Sequence, residues 1–175
     1  MVNDFKDFRY IMILSDVDKN VVIFPISKSE KPVILADGSE EEAYLPAFYP
    51  IEVKKPFGVE ELSKQIQLGI EQWNMHQCYD VDSYQTLEEK YYSKKGHKNA
   101  TKGIRHITLG WDDILGKYIS LSLPLKNGSG YVGIDETILP DDATWEDFSE
   151  VVLHYVNSEN AEFKEYKTFR NKLNL

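Results

Sequence analysis

Lys117-Tyr118-Ile119-Ser120-Leu121-Ser122-Leu123-Pro124-Leu125, answered by Tyr131-Val132-Gly133-Ile134-Asp135-Glu136-Thr137-Ile138-Leu139, is the stretch that decides the fold class. In the first run Ile119, Leu121, Leu123 and Leu125 alternate with Tyr118, Ser120 and Ser122, and side chains two apart on a strand share one face. The return run repeats the alternation with Val132, Ile134 and Ile138. Between them Asn127-Gly128-Ser129-Gly130 supplies residues that tolerate positive φ. The pattern predicts a central antiparallel hairpin.

Downstream, Pro140-Asp141-Asp142 breaks the strand and Thr144 is a suitable helix N-cap. Glu146 and Asp147 fall in the first helical turn, where the dipole favours anions, and Trp145, Phe148, Val152 and Tyr155 form one apolar stripe. Phe163, Tyr166, Phe169 and Leu173 suggest a further amphipathic helix at the carboxy terminus. Upstream, Val59, Leu62, Ile66, Ile70 and Trp73 recur at helical spacing after Gly58, with Gly69 as the one weak helix former in that run. A shorter helix is expected from Ser83 to Tyr92, followed by a polar, mobile segment from Lys94 to Asn99. Near the amino terminus, Tyr10 to Leu14 and Val21 to Ile26 flank the turn-rich Asp16-Val17-Asp18-Lys19-Asn20, which predicts an N-terminal hairpin. Val33 to Ala36 is a third short strand, and Pro46, Pro50 and Pro56 confine Tyr44 to Phe57 to a sheet edge or a covering loop. Strands, helices, a hairpin and helices in that order describe an α+β protein, mainly antiparallel, packed by amphipathic helices as one domain over residues 1–175.

Most sites of chemistry are missing from the pattern. One cysteine, Cys78, leaves no internal disulfide and no multi-cysteine metal site. Asp16 to Asn20 imitates the opening of a calcium loop, but Val21 stands where glycine must turn the chain and Ser27 where a bidentate glutamate belongs. Gly128-Ser129-Gly130 precedes a strand, whereas a phosphate cradle opens a helix. His76 and Cys78 are two apart and do not face each other on a helix, while His97 and His106 lack companion ligands at metal-site spacing. Glu150 and His154, one helical turn apart, read as a solvated pair. No catalytic residue, cofactor or metal is assigned. The amino terminus lacks a basic region ahead of an apolar stretch, and apolar runs stay far below the ~18 residues of a membrane span, so a cytoplasmic location is expected.

Charge is more informative. The net charge of −9 argues against a general nucleic-acid binder, whose affinity rests on neutralising phosphate. It is also uneven. The net is −3 over residues 1–58, 0 over 59–108, −7 over 109–156 and +1 over 157–175. Asp112, Asp113, Asp135, Glu136, Asp141, Asp142, Glu146, Asp147 and Glu150 share the acidic block with only Lys117 and Lys126. Such a block is either a solvated face or a docking surface for a basic protein. The opposite feature is Lys90 to Arg105, with Lys90, Lys94, Lys95, Lys98, Lys102 and Arg105, no acidic residue, and Tyr91 and Tyr92 beside them. An RNA-contacting segment would look like this.

Within the acidic block, Trp111-Asp112-Asp113-Ile114-Leu115, then Gly130-Tyr131-Val132-Gly133-Ile134 with Ile138-Leu139-Pro140, then Thr144-Trp145-Glu146-Asp147-Phe148 resembles the carboxy-terminal half of one family of contact-dependent growth inhibition immunity proteins. The resemblance covers residues 105–157. It implies a small bacterial cytoplasmic protein that binds and neutralises a cognate toxin domain at the carboxy terminus of a CdiA-type effector, commonly a nuclease such as an RNase. The implied partner is thus a basic protein, with membrane and nucleic acid not expected as partners. Asp112, Asp113, Asp141, Asp142, Glu146 and Asp147 are the expected toxin-binding residues, some of them doubling as helix caps. The alternatives are a small enzyme using Cys78, His76 or Glu88, and an RNA-associated module using residues 90–105.

Overall fold

The computed structural model describes residues 9–79, 85–125, 128 and 130–159. Strand β1 (Arg9–Ser15) and β2 (Val21–Phe24) form the expected N-terminal hairpin, in register Met12 to Phe24 and Ser15 to Val21. Its turn is tied by Asp16, whose Oδ1 accepts from the Asp18 and Asn20 amides at 2.9 Å each. The carboxylate that imitates a calcium ligand is therefore a turn clasp.

Short strands follow: β3 (Ile26–Lys28), β4 (Val33–Ile34), β5 (Glu40–Glu41), β6 (Tyr44–Pro46) and β7 (Ile51–Val53). β3 pairs with β6 and β4 with β5, each in a separate two-stranded sheet, while β7 pairs with β2 and closes one edge of the main sheet. The proline-punctuated stretch thus lies on an edge and over a face, as proline's missing donor demands.

Helix α1 (Val59–Glu71) buries Leu62, Ile66 and Ile70 completely. Trp73 does not extend its stripe. The helix ends two residues before it, and the indole stacks on Tyr44 and meets Tyr10 edge-on in a second cluster. The next helix, α2 (Leu87–Tyr91), is shorter than its pattern because Thr86 and Glu89 form a capping box that fixes its start. Of the expected span, Ser83 and Tyr84 lie outside the described residues, as does the expected terminal helix with Phe163, Tyr166, Phe169 and Leu173. The segment expected to be mobile contains a helical turn, α3 (His97–Ala100), and the Gly96 amide donates to Glu89 Oε1 at 2.6 Å.

Strands β8 (Arg105–Asp112), β9 (Gly116–Pro124) and β10 (Tyr131–Leu139) complete the sheet, and α4 (Trp145–Asn157) follows. The predicted central hairpin is β9–β10, in register Lys117 to Leu139 with a bulge between Gly133 and Asp135; Asn127 and Ser129 of its turn lie outside the described residues. The main sheet has the order β10-β9-β8-β1-β2-β7 with every pairing antiparallel. This is the α+β fold.

The sheet separates two apolar clusters. One face carries Ile11, Ile13, Ile23, Ile107, Leu109, Ile119 and Leu121 against α1 and α4. The other carries Met12, Leu14, Val22 and Phe24 beneath Leu87, Ile104, Tyr91 and Tyr92. β1 therefore needs apolar residues on both sides, which explains its unbroken Ile11-Met12-Ile13-Leu14. Arg105 ties α4 to this frame, its guanidinium donating to the Tyr155 and Ser158 carbonyls at the helix C-terminus.

Gly69 sits where α1 crosses β2, and a Cβ there would lie 2.9 Å from Ile23 Cγ2. Substituting Gly69→Ala gains about 1 kcal/mol of helix propensity but overpacks a stiff β-branched neighbour at a cost of about 1–3 kcal/mol. The expected outcome is a lower urea midpoint with an unchanged m-value; a raised midpoint would show that the strand yields at this crossing.

Candidate acidic interface

The register places the acidic residues. Asp112 pairs with Gly116 across the β8–β9 turn, Lys117 pairs with Trp111 on one side and Leu139 on the other, and the chain then enters the Pro140–Thr144 connection to α4. Asp112 and Asp113 in the turn, Asp141 and Asp142 in the connection, and Glu146 and Asp147 at the helix start therefore share one end of the sheet. All six expected residues are brought to it.

Their carboxylates have different duties. Asp112 Oδ1 accepts from the Ile114 and Leu115 amides at 2.7 and 2.6 Å, so it shapes the turn. Asp147 closes a capping box: its Oδ2 accepts from the Thr144 amide at 2.7 Å while its own amide donates to Thr144 Oγ1 at 3.3 Å. The Thr144 backbone amide, then its hydroxyl, hold the Asp147 carboxyl below the usual carboxylate range. Asp113, Asp141, Asp142 and Glu146 are exposed and form the outward charge.

Among the described residues, the lysine at this end lies beneath the surface. Lys117 is 6% exposed and its ammonium donates to the Asp141 carbonyl at 2.5 Å and the Ala143 carbonyl at 3.0 Å. It holds the loop that presents Asp141 and Asp142. Between the two acidic segments Trp145 meets Trp111 edge-on, at 6.2 Å between centroids, fixing the α4 start against β8. The signal missed in the sequence is the turn's own composition. Ile114 is 91% exposed and Leu115 40%, although apolar residues between two strands invite a core reading.

Positive charge collects at the other end, about 27 Å away along β9 at ~3.4 Å per residue. There Lys19, Lys98, Lys102 and Arg105 line a cleft of about 670 Å³ with Asp16 and Glu159. The aromatics of residues 90–105 face inward. The Tyr91 hydroxyl donates to Glu52 Oε1 at 2.8 Å and its ring meets Phe24 edge-on, while Lys90 lies 4.0 Å over the Phe48 ring. Burial pushes the Tyr91 and Tyr92 phenols upward.

The residues expected for enzyme chemistry are dispersed. His76 stacks on Tyr49 at 3.9 Å and its Nε2 is 2.7 Å from Gln72 Oε1, while Cys78 bridges Ala47 through the backbone. Glu88 lies elsewhere in a partly buried group that spacing could not reveal. The Tyr131 hydroxyl donates to Glu88 Oε1 at 2.9 Å, His97 Nδ1 is 4.0 Å from Oε2, and the His106 ring lies 4.8 Å from Tyr131. These are residue types of acid–base chemistry, but Glu88 is 7% exposed and does not line the 670 Å³ cleft. Among the described residues no group of three or more His, Cys, Asp or Glu side chains could hold a metal ion.

No protein-family model matches this chain, and no curated protein does. Solved structures do. Among them is a protein of unknown function, NMB0488 from Neisseria meningitidis, with TM-score 0.53 and 12% identity over 90% of this chain and 98% of that one. At that identity the likeness shows the fold alone. No helix among the described residues is long and apolar enough to cross a membrane.

Burial holds His106 below the usual histidine value of 6.5, against the pull of Glu88. Because the folded state favours the neutral ring, its contribution is intact above about pH 6.5 and is lost as pH falls below that. Urea unfolding at pH 7.5 and 5.5 should show a loss of stability in the wild type that is smaller in His106→Gln. Equal losses in both proteins would place the titration elsewhere.

Proposed function

We propose that this protein is an immunity-type inhibitor that acts in the cytoplasm by binding the toxin domain at the carboxy terminus of a CdiA-type effector. The toxin domain is basic, a nuclease, and the acidic end of the sheet occupies its phosphate-attracting surface. The observation that carries this reading is the convergence of Asp113, Asp141, Asp142 and Glu146 as exposed charges at one end, on a frame held from beneath by the buried Lys117 through the Asp141 and Ala143 carbonyls.

The physical logic is charge complementarity. A nuclease concentrates Lys and Arg where phosphate must bind, and a rigid acidic surface presents carboxylates to the same groups. The attraction acts before contact, so it raises the association rate and makes it fall with salt. Rigidity matters because carboxylates on a fixed turn and a capped helix lose little freedom on docking. No catalytic group is required of the inhibitor.

Co-purification with the toxin domain encoded directly upstream, and protection of cells expressing that domain, test the reading. Reversing Asp113, Asp141, Asp142 and Glu146 to lysine should slow association by about tenfold or more at low salt and flatten its salt dependence. Asp112 and Asp147 are kept, since changing them would disturb the turn and the helix cap. Unchanged association kinetics would remove the acidic end from the interface, and failure of the wild type to bind or protect would remove the immunity reading itself.

A further inference from the structure

The end of the sheet that carries the acidic residues also carries something that charge does not explain. The β8–β9 turn reads Asp112-Asp113-Ile114-Leu115-Gly116, and its tip is apolar where hairpin turns are ordinarily built from Asn, Gly, Asp and Ser. Ile114 is 91% exposed, more than any other large apolar side chain among the described residues, and Leu115 is 40% exposed. Ile138, on the neighbouring end of β10, is 51% exposed. Scattered exposed apolar residues need no explanation, but Ile114 and Leu115 are consecutive at a turn that also carries Asp112 and Asp113, and Ile138 lies at the same end of the sheet.

The tip is also preorganised. The Asp112 carboxylate accepts from both the Ile114 and Leu115 amides, and Gly116, at φ 69°, closes the turn in a conformation that a Cβ would strain. Behind it stands Trp111, 2% exposed and paired with Lys117. A side chain held in water by a fixed turn on two long strands loses little conformational freedom when it enters a pocket. This is the arrangement of an interface anchor: an apolar centre that excludes water, within a polar rim that selects and steers.

We infer that Ile114, supported by Leu115, is the anchor of the toxin complex, inserted into an apolar socket on a basic protein surface whose Lys and Arg side chains meet Asp113, Asp141, Asp142 and Glu146. The inference rests on the immunity reading and commits its interface to the hairpin tip. It divides the labour between two kinds of residue. The carboxylates set how fast the complex forms, and the buried isoleucine sets how long it lasts. A second exposed apolar pair, Val33 and Ile34, lies on the small β4–β5 sheet beside Glu40 and Glu41 and serves as an internal comparison.

Surface-immobilised toxin domain and the full-length chain, as wild type, Ile114→Ser, Leu115→Ser and Ile34→Ser, measure this by association and dissociation rates. Ile114→Ser should raise the dissociation rate by about tenfold or more while leaving association within about twofold, and Leu115→Ser should have a smaller effect in the same direction. Ile34→Ser should behave as wild type. Thermal unfolding of Ile114→Ser should match the wild type, because a side chain so exposed contributes no core packing. If folded Ile114→Ser dissociates like the wild type, or if Ile34→Ser is the slow-binding or fast-dissociating variant, the anchor is not at the tip and the immunity reading survives without it. If wild-type protein does not bind the toxin domain, that reading fails and the anchor with it.

Discussion

The pairing of β1 with β8 is the constraint on which the rest depends. Ile13 lies opposite Ile107 and Ile11 opposite Leu109, so a strand near the amino terminus is fixed beside one from the second half of the chain. Everything between them is enclosed by this contact, and its closure is an entropic cost that local hairpins do not meet. The cost is offset by burial on both faces, with Ile11, Ile13 and Leu14 fully inaccessible to water. A slip of one residue would turn each isoleucine from the α1–α4 side to the aromatic side, so the two differently shaped clusters fix the register as well as the pairing. Once β8 is in place, β9 and β10 add by successive antiparallel pairing, and their turns must fall at alternating ends of the sheet. The β8–β9 turn and the β10–α4 connection fall at one end, while the start of β8 and the end of β9 fall at the other.

This alternation converts a charge pattern along the chain into a charge separation in space. The acidic block is contiguous, so its sign and size are legible in the amino-acid sequence itself. Which of its carboxylates face outward is not. Asp112 and Asp147 are the same residue type at similar exposed-looking positions as Asp113 and Asp142, yet the first two are committed to backbone amides. The distinction lies in whether a carboxylate has backbone amides of a turn or a helix start within its reach, a geometry that sequence only partly signals.

The same contrast runs through the fold. Hairpins, the α1 stripe and the Thr144 cap are legible because each is a local pattern of period or offset. The place of Trp73 is not: helical spacing predicts it on α1, but Gln72 and Trp73 have left the helix and the indole is recruited by Tyr10 and Tyr44 from the far side of the sheet. Likewise, Glu88, His97, His106 and Tyr131 meet only because α2, α3, β8 and β10 converge, and no spacing rule joins them. Ile114 is hidden for the opposite reason. Composition assigns apolar residues to the core, and only the position of the turn shows that this one stands in water.

The acidic end carries a standing cost, since carboxylates of one sign in a small area repel. Three features of the fold limit it. The α4 N-terminus supplies a positive dipole beside Glu146 and Asp147, the Lys117 ammonium lies beneath the loop carrying Asp141 and Asp142, and the remaining charges are exposed where salt screens them beyond about 8 Å at physiological ionic strength. None of these removes the outward field of Asp113, Asp141, Asp142 and Glu146. A basic protein docking there would relieve repulsion as well as gain attraction, so the free energy of association would include a term already stored in the unbound fold. That term is electrostatic and fades with salt, whereas the contribution of an apolar tip does not. The two would therefore separate experimentally along the ionic-strength axis, which is the physical reason that a surface combining both is suited to rapid capture followed by slow release.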